Sequence, residues 1–269
     1  MAIAQIKKEF PNSIIKENEP LSLYTYTKTG GPADILVLPK EKEEVIALVE
    51  WINQHELPLT VLGNASNLIV KDGGIHGVVM VLTEMNEITI SKHRIVFMNA
   101  GAYGGEVSEV IQTVTVLTRE GEIKELKNEE LDFRYRHSAI QETHDIVLEV
   151  EFQLEKGKPA EIKKRMAELT FLRESKQPLE YPSCGSVFKR PTGYFTGKLI
   201  QEAGLQGRIW GGAQISEKHA GFIVNINHAT ATDYIELIAY IQQVILENTG
   251  VELVPEVRII GEDVWVETK

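Results

Sequence analysis

"LPLTVLGNASNLIVKDGGIHGVVMVL", residues 57–82, sets the fold of the first part of the chain. Two apolar runs, "LPLTVLG" and "GVVMVL", read as strands and frame a stretch of small and polar residues, "GNASNLIVKDGG". Upstream, "ADILVLP" (Ala33 to Pro39) is another strand. It is followed by "KEKEEVIALVEWINQHEL", whose Val45, Ile46, Val49 and Ile52 fall on one helical face. The order is strand, helix, strand, then a returning strand. Before it comes an extended stretch, Leu21 to Tyr26, and a turn at Thr29-Gly30-Gly31-Pro32.

A second region, about Glu87 to Glu155, contains "MNAGAYGGEVSEVI" and "TVTVLTREGEIKELK", two strands around a Glu120-Gly121 turn. "FRYRHSAIQ" and the strand "DIVLEVEFQL" follow. A third region opens after Lys156-Gly157-Lys158-Pro159, which reads as a linker. "AEIKKRMAELTFLRESK" is a helix stopped by Pro178, and "TGKLIQEAGLQG" a short helix ended by glycine. "TATDYIELIAYIQQVILENTG" is a helix with Tyr234, Leu237, Ile238, Ile241 and Ile245 as its buried stripe; "VELVPEVRIIG" closes the region as a strand.

The chain has 269 residues, enough for two or three small domains. Its net charge of -11 argues against a general nucleic-acid binder, though an anionic small ligand can still sit in a locally basic pocket. No apolar run approaches the roughly 20 residues of a membrane span, and the charged start "MAIAQIKKEFPNS" lacks a signal-peptide core. A cytoplasmic location is the expectation. The single cysteine, Cys184, excludes an intramolecular disulfide framework, and the seven histidines show no metal spacing.

Three small-residue loops, "TKTGGPAD", "LGNASNL" and "NAGAYGG", are candidates for cradling phosphate: glycine permits tight turns and successive N–H groups can converge on one anion. Each alone is also an ordinary turn, and none fits a dinucleotide or P-loop motif. In "FRYRHS", Arg134 and Arg136 share a face if extended, and an inward guanidinium suits a carboxylate or phosphate. "YPSCGSVFKRP" (181–191) holds Cys184 between Ser183 and Ser186, with no histidine or helix start to lower the thiol pKa. Cys184 therefore reads as inert, and Lys189 and Arg190 as possible anion ligands. In "PEVRII", Glu256 and Arg258 share a strand face, as a surface ion pair or with the carboxyl in a pocket.

In order, "YTYTKTGGPAD", "LGNASNLIVKDGGIHGVV", "MNAGAYGGE", "YRHS", "KQPLEYPSCGSVFKRP", "TGKLIQEAGLQG", "GGAQISEKHAGFIVN" and "PEVRIIGE" resemble the UDP-N-acetylenolpyruvoylglucosamine reductase family, in its shorter Gram-positive type, over nearly the whole chain. The resemblance implies an α+β fold. It has a two-part FAD-binding module of the PCMH/vanillyl-alcohol-oxidase type (1–86 and 87–156) and a C-terminal α/β substrate-binding domain (157–269). It implies FAD and NADPH as cofactors and UDP-N-acetylenolpyruvoylglucosamine as substrate. No nucleic-acid or membrane partner is implied, and the expected state is a monomer. Flavin N5 delivers hydride to the enolpyruvyl methylene carbon; the family's serine, arginine and glutamate match Ser186, Arg136 and Glu256. Ser186 protonates the enolate, and Arg136 and Glu256 stabilise it. The cofactor contacts carried over are Thr29, Gly30, Gly31, Gly63, Asn64, Ala65, Ser66, Asn67, Asn99, Gly101, Ala102, Tyr103 and Gly104. Lys176 and Arg190 are carried over as substrate ligands, and Lys189, beside Arg190, is a third candidate on its residue type alone.

The sequence departs from the family in two places. Ala65 stands where glycine is usual. "SKHRIVF" also runs directly into "MNAGAYGG", where the family has about forty more residues, including a helix and a glycine-rich flavin loop. An alternative is a UDP-sugar-binding remnant with impaired FAD binding and no activity. A sugar oxidase of the same superfamily is the other; its covalent flavin site has only His76 and Cys184 as loose candidates.

Overall fold

The computed structural model describes residues 2–88 and 106–264, which fall into two compact units. Unit one comprises Met1–Leu38, Pro58–Val81 and Phe171–Lys269; unit two comprises Pro39–Leu57 and Leu82–Thr170.

Unit one begins with a four-stranded sheet. Strand Pro32–Leu38 pairs antiparallel with Ile14–Pro20 and parallel with Ile75–Val81, which pairs parallel with Leu59–Leu62. The returning strand is thus central, and Val78, Val79, Met80 and Val81 are all buried. A strand covered on both faces reads as an unbroken apolar run, as "VVMV" does. The extended stretch expected at Leu21 to Tyr26 is instead a 3-10 turn at Leu21–Leu23, closed by the Tyr24 N–H on the Leu21 carbonyl at 2.9 Å. The strand lies earlier, at Ile14–Pro20. It is an edge, and its polar sequence "IIKENEP" carries little apolar signal.

The loop "GNASNLIVKDGG" hides a short strand, Leu68–Val70, parallel to Arg258–Ile260 near the far end of the chain. A second four-stranded antiparallel sheet runs in the order Ile209–Trp210, Ala213–Ile215, Phe222–Asn225, Ser183–Ser186. Helix Ala231–Thr249 buries Tyr234, Leu237, Ile238, Ile241 and Ile245, the expected stripe. Thr230 and Asp233 cap its start reciprocally, and Gly250 ends it at φ +71°. Asp72, from the early "KDGG" turn, adds a second cap: its carboxylate accepts the N–H groups of Ala231 and Thr232, each at 2.9 Å, and the Thr232 hydroxyl at 2.7 Å. One apolar cluster joins Ile69 to Cys184, Val187, Phe188 and the helix stripe, so the early strand and the C-terminal part share a core.

Unit two holds helix Lys42–Gln54, which buries Val45, Leu48, Val49, Trp51 and Ile52; Ile46 is only half-buried. Its sheet is Ile123–Lys127, Ile111–Leu117 and Ile146–Phe152, antiparallel throughout, with Gly121 at φ +93° in the expected hairpin turn. Ile111, Val114, Val116, Leu131 and Phe152 form its core. Helix Pro159–Lys176 follows and stops before Pro178. Among the described residues, no helix is long and apolar enough to cross a membrane.

Candidate active site

Strand Ser183–Ser186 meets its neighbour with Ser186 opposite Phe222 and Ser183 opposite Val224, so the register shifts in between. Gly185 lies at that irregularity with φ +81°, where a side chain would strain the backbone. The shift turns Cys184 inward, 2% exposed, and leaves Ser186 exposed. Burial pushes the Cys184 thiol up to about 12, so almost no thiolate forms near neutral pH. The inert reading of Cys184 fits this environment. Native protein treated with iodoacetamide at pH 8 is expected to remain unmodified at Cys184 and to react fully once unfolded; intact-mass measurement checks both.

Directly after Ser186, the Val187 carbonyl accepts the Glu256 N–H at 2.7 Å and the Val257 N–H at 3.3 Å. Glu256 is therefore bonded to the residue that follows Ser186, although the two lie about seventy positions apart in sequence. Glu256 is half-buried. It is not inside a strand as expected. Proline supplies no ladder donor, so Pro255 makes only an isolated bridge to Phe188, and regular pairing begins at Arg258.

Asn67 braces Glu256 from the other side. Its side-chain amide donates to the Glu256 carbonyl at 3.2 Å, and its own carbonyl accepts the Arg258 N–H at 3.2 Å. This bracing role has no local signature, because the partners lie 189 residues apart. A continuous backbone path thus links the 63–67 loop, through residue 256, to residue 186.

The loop itself is open. A Cβ built on Gly63 meets nothing within 4 Å, and Gly63, Asn64, Ser66 and Asn67 are exposed. Behind them the Asn64 amide donates to the Tyr26 hydroxyl at 3.0 Å, and the Tyr26 N–H to the Ala65 carbonyl at 3.4 Å. Ala65 sits at φ +47°, a conformation that costs a non-glycine residue about 1 kcal/mol or more. A braced, exposed loop with small side chains and free space in front fits a phosphate-bearing cofactor.

Gly30 and Gly31 are closely packed on one side. A Cβ on Gly31 would lie 2.2 Å from the Asp72 carbonyl oxygen, and one on Gly30 2.9 Å from the Val70 Cβ. Thr29 is buried, its hydroxyl 2.8 Å from that of Thr27. Asn99, Gly101, Ala102, Tyr103 and Gly104 lie outside the described residues.

In unit two, Arg134 and Arg136 do not share an extended face. The Arg134 and His137 N–H groups each donate to the other's carbonyl, at 3.1 and 2.9 Å, closing a tight turn. Asp132 and Arg136 take left-handed backbone, φ +43° and +58°. Arg134 pairs with Asp132 at 2.5 Å, while the exposed Arg136 guanidinium lies 5.2 Å from the Tyr135 ring centroid. In unit one, Lys176, Lys189 and Arg190 are all exposed. His76 is exposed and bonded to Asp34 at 3.1 Å, which raises its pKa. Among the described residues no cluster of histidine, cysteine or carboxylates could hold a metal.

Residues 33–113 match the family model of an FAD binding domain, and residues 177–260 that of the UDP-N-acetylenolpyruvoylglucosamine reductase C-terminal domain. A UDP-N-acetylenolpyruvoylglucosamine reductase of Lactiplantibacillus plantarum is 55% identical, covering 95% of this chain and 96% of its own. One from Enterococcus faecalis is 58% identical, covering 92% and 94%. Both alignments, 291 and 283 residues long, exceed the 269 residues of this chain. The relatives therefore carry residues without a counterpart here, as the junction at "HRIVFMNAGAYGG" leads one to expect. The crystal structure of a UDP-N-acetylenolpyruvylglucosamine reductase from Thermus caldophilus superposes with TM-score 0.74 at 29% identity, covering 92% of this chain and 98% of that one. The α+β fold, with an FAD-binding domain and the C-terminal domain of the reductase family, stands on these matches and the mixed sheets and helices described above. With most of its length aligned at more than half identity, the chain belongs to the UDP-N-acetylenolpyruvoylglucosamine reductase family.

Proposed function

We propose that this protein uses NADPH to reduce UDP-N-acetylenolpyruvoylglucosamine to UDP-N-acetylmuramate, a step in peptidoglycan precursor synthesis. It is an FAD-dependent oxidoreductase by family and by its FAD binding domain. The loop 63–67 would hold part of FAD, which when bound would supply hydride chemistry between the nicotinamide and the enolpyruvyl group. The observation that carries the reading is the hydrogen bond from the Glu256 N–H to the carbonyl of Val187, the residue next to Ser186.

Adding hydride to the methylene leaves the neighbouring carbon electron-rich and conjugated with the carboxylate. Ser186 gives that carbon its proton through an exposed hydroxyl held by a strand end. Glu256, fixed at its backbone by Val187 and Asn67, and Arg136 steady the developing charge and the carboxylate. Lys176, Lys189 and Arg190 supply cations for the substrate diphosphate. We assign the protein to the cytoplasm as a monomer.

The test is NADPH consumption by the purified, yellow protein, followed at the nicotinamide absorbance with and without the enolpyruvyl sugar nucleotide. Consumption that requires the sugar nucleotide supports the reading. A colourless protein that binds UDP and consumes no NADPH supports the alternative, a sugar-nucleotide-binding remnant. The alignments longer than the chain are the observation behind that alternative.

A further inference from the structure

We propose that Phe195 is a positioning residue for the substrate diphosphate, acting through Arg190; the proposal rests on the reading of Arg190 as a diphosphate ligand. The Arg190 guanidinium carbon lies 3.9 Å from the centroid of the Phe195 ring, close enough for face-on stacking. Its inner nitrogen, Nε, donates to the Tyr194 carbonyl at 3.1 Å. Two contacts therefore fix the plane and the direction of the fork, and both use the near side of the group. No carboxylate among the described residues pairs with it. The outer edge is left to an external anion, which a planar guanidinium binds through two parallel hydrogen bonds.

The surrounding chain is built to hold this arrangement. The Tyr194 N–H donates to the Pro191 carbonyl at 3.1 Å, and Gly193 takes φ +80°, so residues 191–194 fold back as a turn. The Thr196 hydroxyl donates to the Lys189 carbonyl at 3.2 Å and pins the two ends of the turn together. Phe195 stands at the cap of helix Thr196–Glu202, its carbonyl accepting the Lys198 and Leu199 N–H groups, so its backbone is held while the residue is 61% exposed. A ring this exposed contributes little to folding, but it confines an otherwise flexible arginine before the ligand arrives. Arg190 also lies four residues beyond Ser186, a span of at most about 14 Å in an extended chain. One strand exit thus presents both the proton donor and a diphosphate cation, on the scale of a single sugar nucleotide.

UDP is the probe, titrated calorimetrically into the purified protein, wild type and variants, without regard to turnover. Phe195→Leu is expected to weaken UDP binding roughly two- to fivefold. Phe195→Tyr is expected to restore it, since the ring face is retained. In turnover, Phe195→Leu raises the KM for the sugar nucleotide by the same factor and leaves kcat in place. Wild-type UDP affinity in Phe195→Leu overturns the proposal. No UDP binding by the wild type overturns the substrate assignment beneath it, a distinct result because it does not depend on position 195.

Discussion

Ser186→Ala is expected to leave the reduction of bound flavin by NADPH at its wild-type rate and to slow the second half-reaction, flavin reoxidation by the enolpyruvyl sugar nucleotide, by roughly 10²–10⁴-fold or more. The hydroxyl has no task in the first half-reaction. It is needed only when a carbanionic carbon must be protonated, so the two steps separate cleanly. Stopped-flow absorbance of the flavin reads each half-reaction alone. Ser186 is exposed at a strand end and its backbone pairs with Phe222 independently of its side chain, so the alanine variant keeps the fold. Equal loss of both half-reactions would make Ser186 a structural residue and remove it as proton donor.

Gly74→Ala is expected to destabilise the protein by about 3 kcal/mol, from backbone strain and overpacking together. Gly74 has φ +86°, and a Cβ there would sit 2.0 Å from the Pro32 carbonyl oxygen. The three nearest atoms are all Pro32 backbone, which cannot yield as a flexible side chain could. The Gly74 N–H donates to the Lys71 carbonyl at 3.0 Å, and its own carbonyl accepts the Glu262 N–H at 2.9 Å. The strain therefore falls where the "TGGP" turn, the "KDGG" turn and the last strand meet. Denaturant titration would show the midpoint shift. Gly121→Ala is the comparison: it has a similar positive φ, but a Cβ there meets nothing within 4 Å, so only the strain component should remain. Equal effects at the two positions would show that the close approach at Gly74 costs nothing.

Local patterns were the legible part of this fold. Helix Ala231–Thr249 announces itself through a complete stripe and a cap motif, all within twenty residues of chain. The hairpin around Gly121 is equally local. Strand Leu68–Val70 is not legible, because its partner among the described residues is the distant Arg258–Ile260 and three residues carry no periodicity. Strand Ile14–Pro20 escaped notice because an edge tolerates polar residues. The turn at 134–137 carries no sequence signal, because its left-handed residue, Arg136, is not a glycine.

The site divides the same way. The serine, arginine and glutamate were reachable only through family resemblance; local spacing left surface roles equally open. The dual use of Asn67, loop residue and brace of Glu256, needed coordinates, since its partner lies 189 residues away. The glycines at 30 and 31 look like a ligand cradle in sequence. In the structure each also approaches a neighbouring segment closely, Gly30 at Val70 and Gly31 at Asp72, a constraint invisible without that neighbouring chain.

Parallel pairing of residues 68–70 with 258–260 has a consequence for how the protein is made. When the early strand leaves the ribosome, its partner is still some 190 residues from synthesis. Asp72 likewise waits for the amides of Ala231 and Thr232. Unit one can close only after nearly the whole chain has emerged, whereas the hairpin of unit two can form as it appears. Nascent chains arrested before residue 258 should therefore be cut by protease around Leu68–Val70 while the hairpin of unit two resists it.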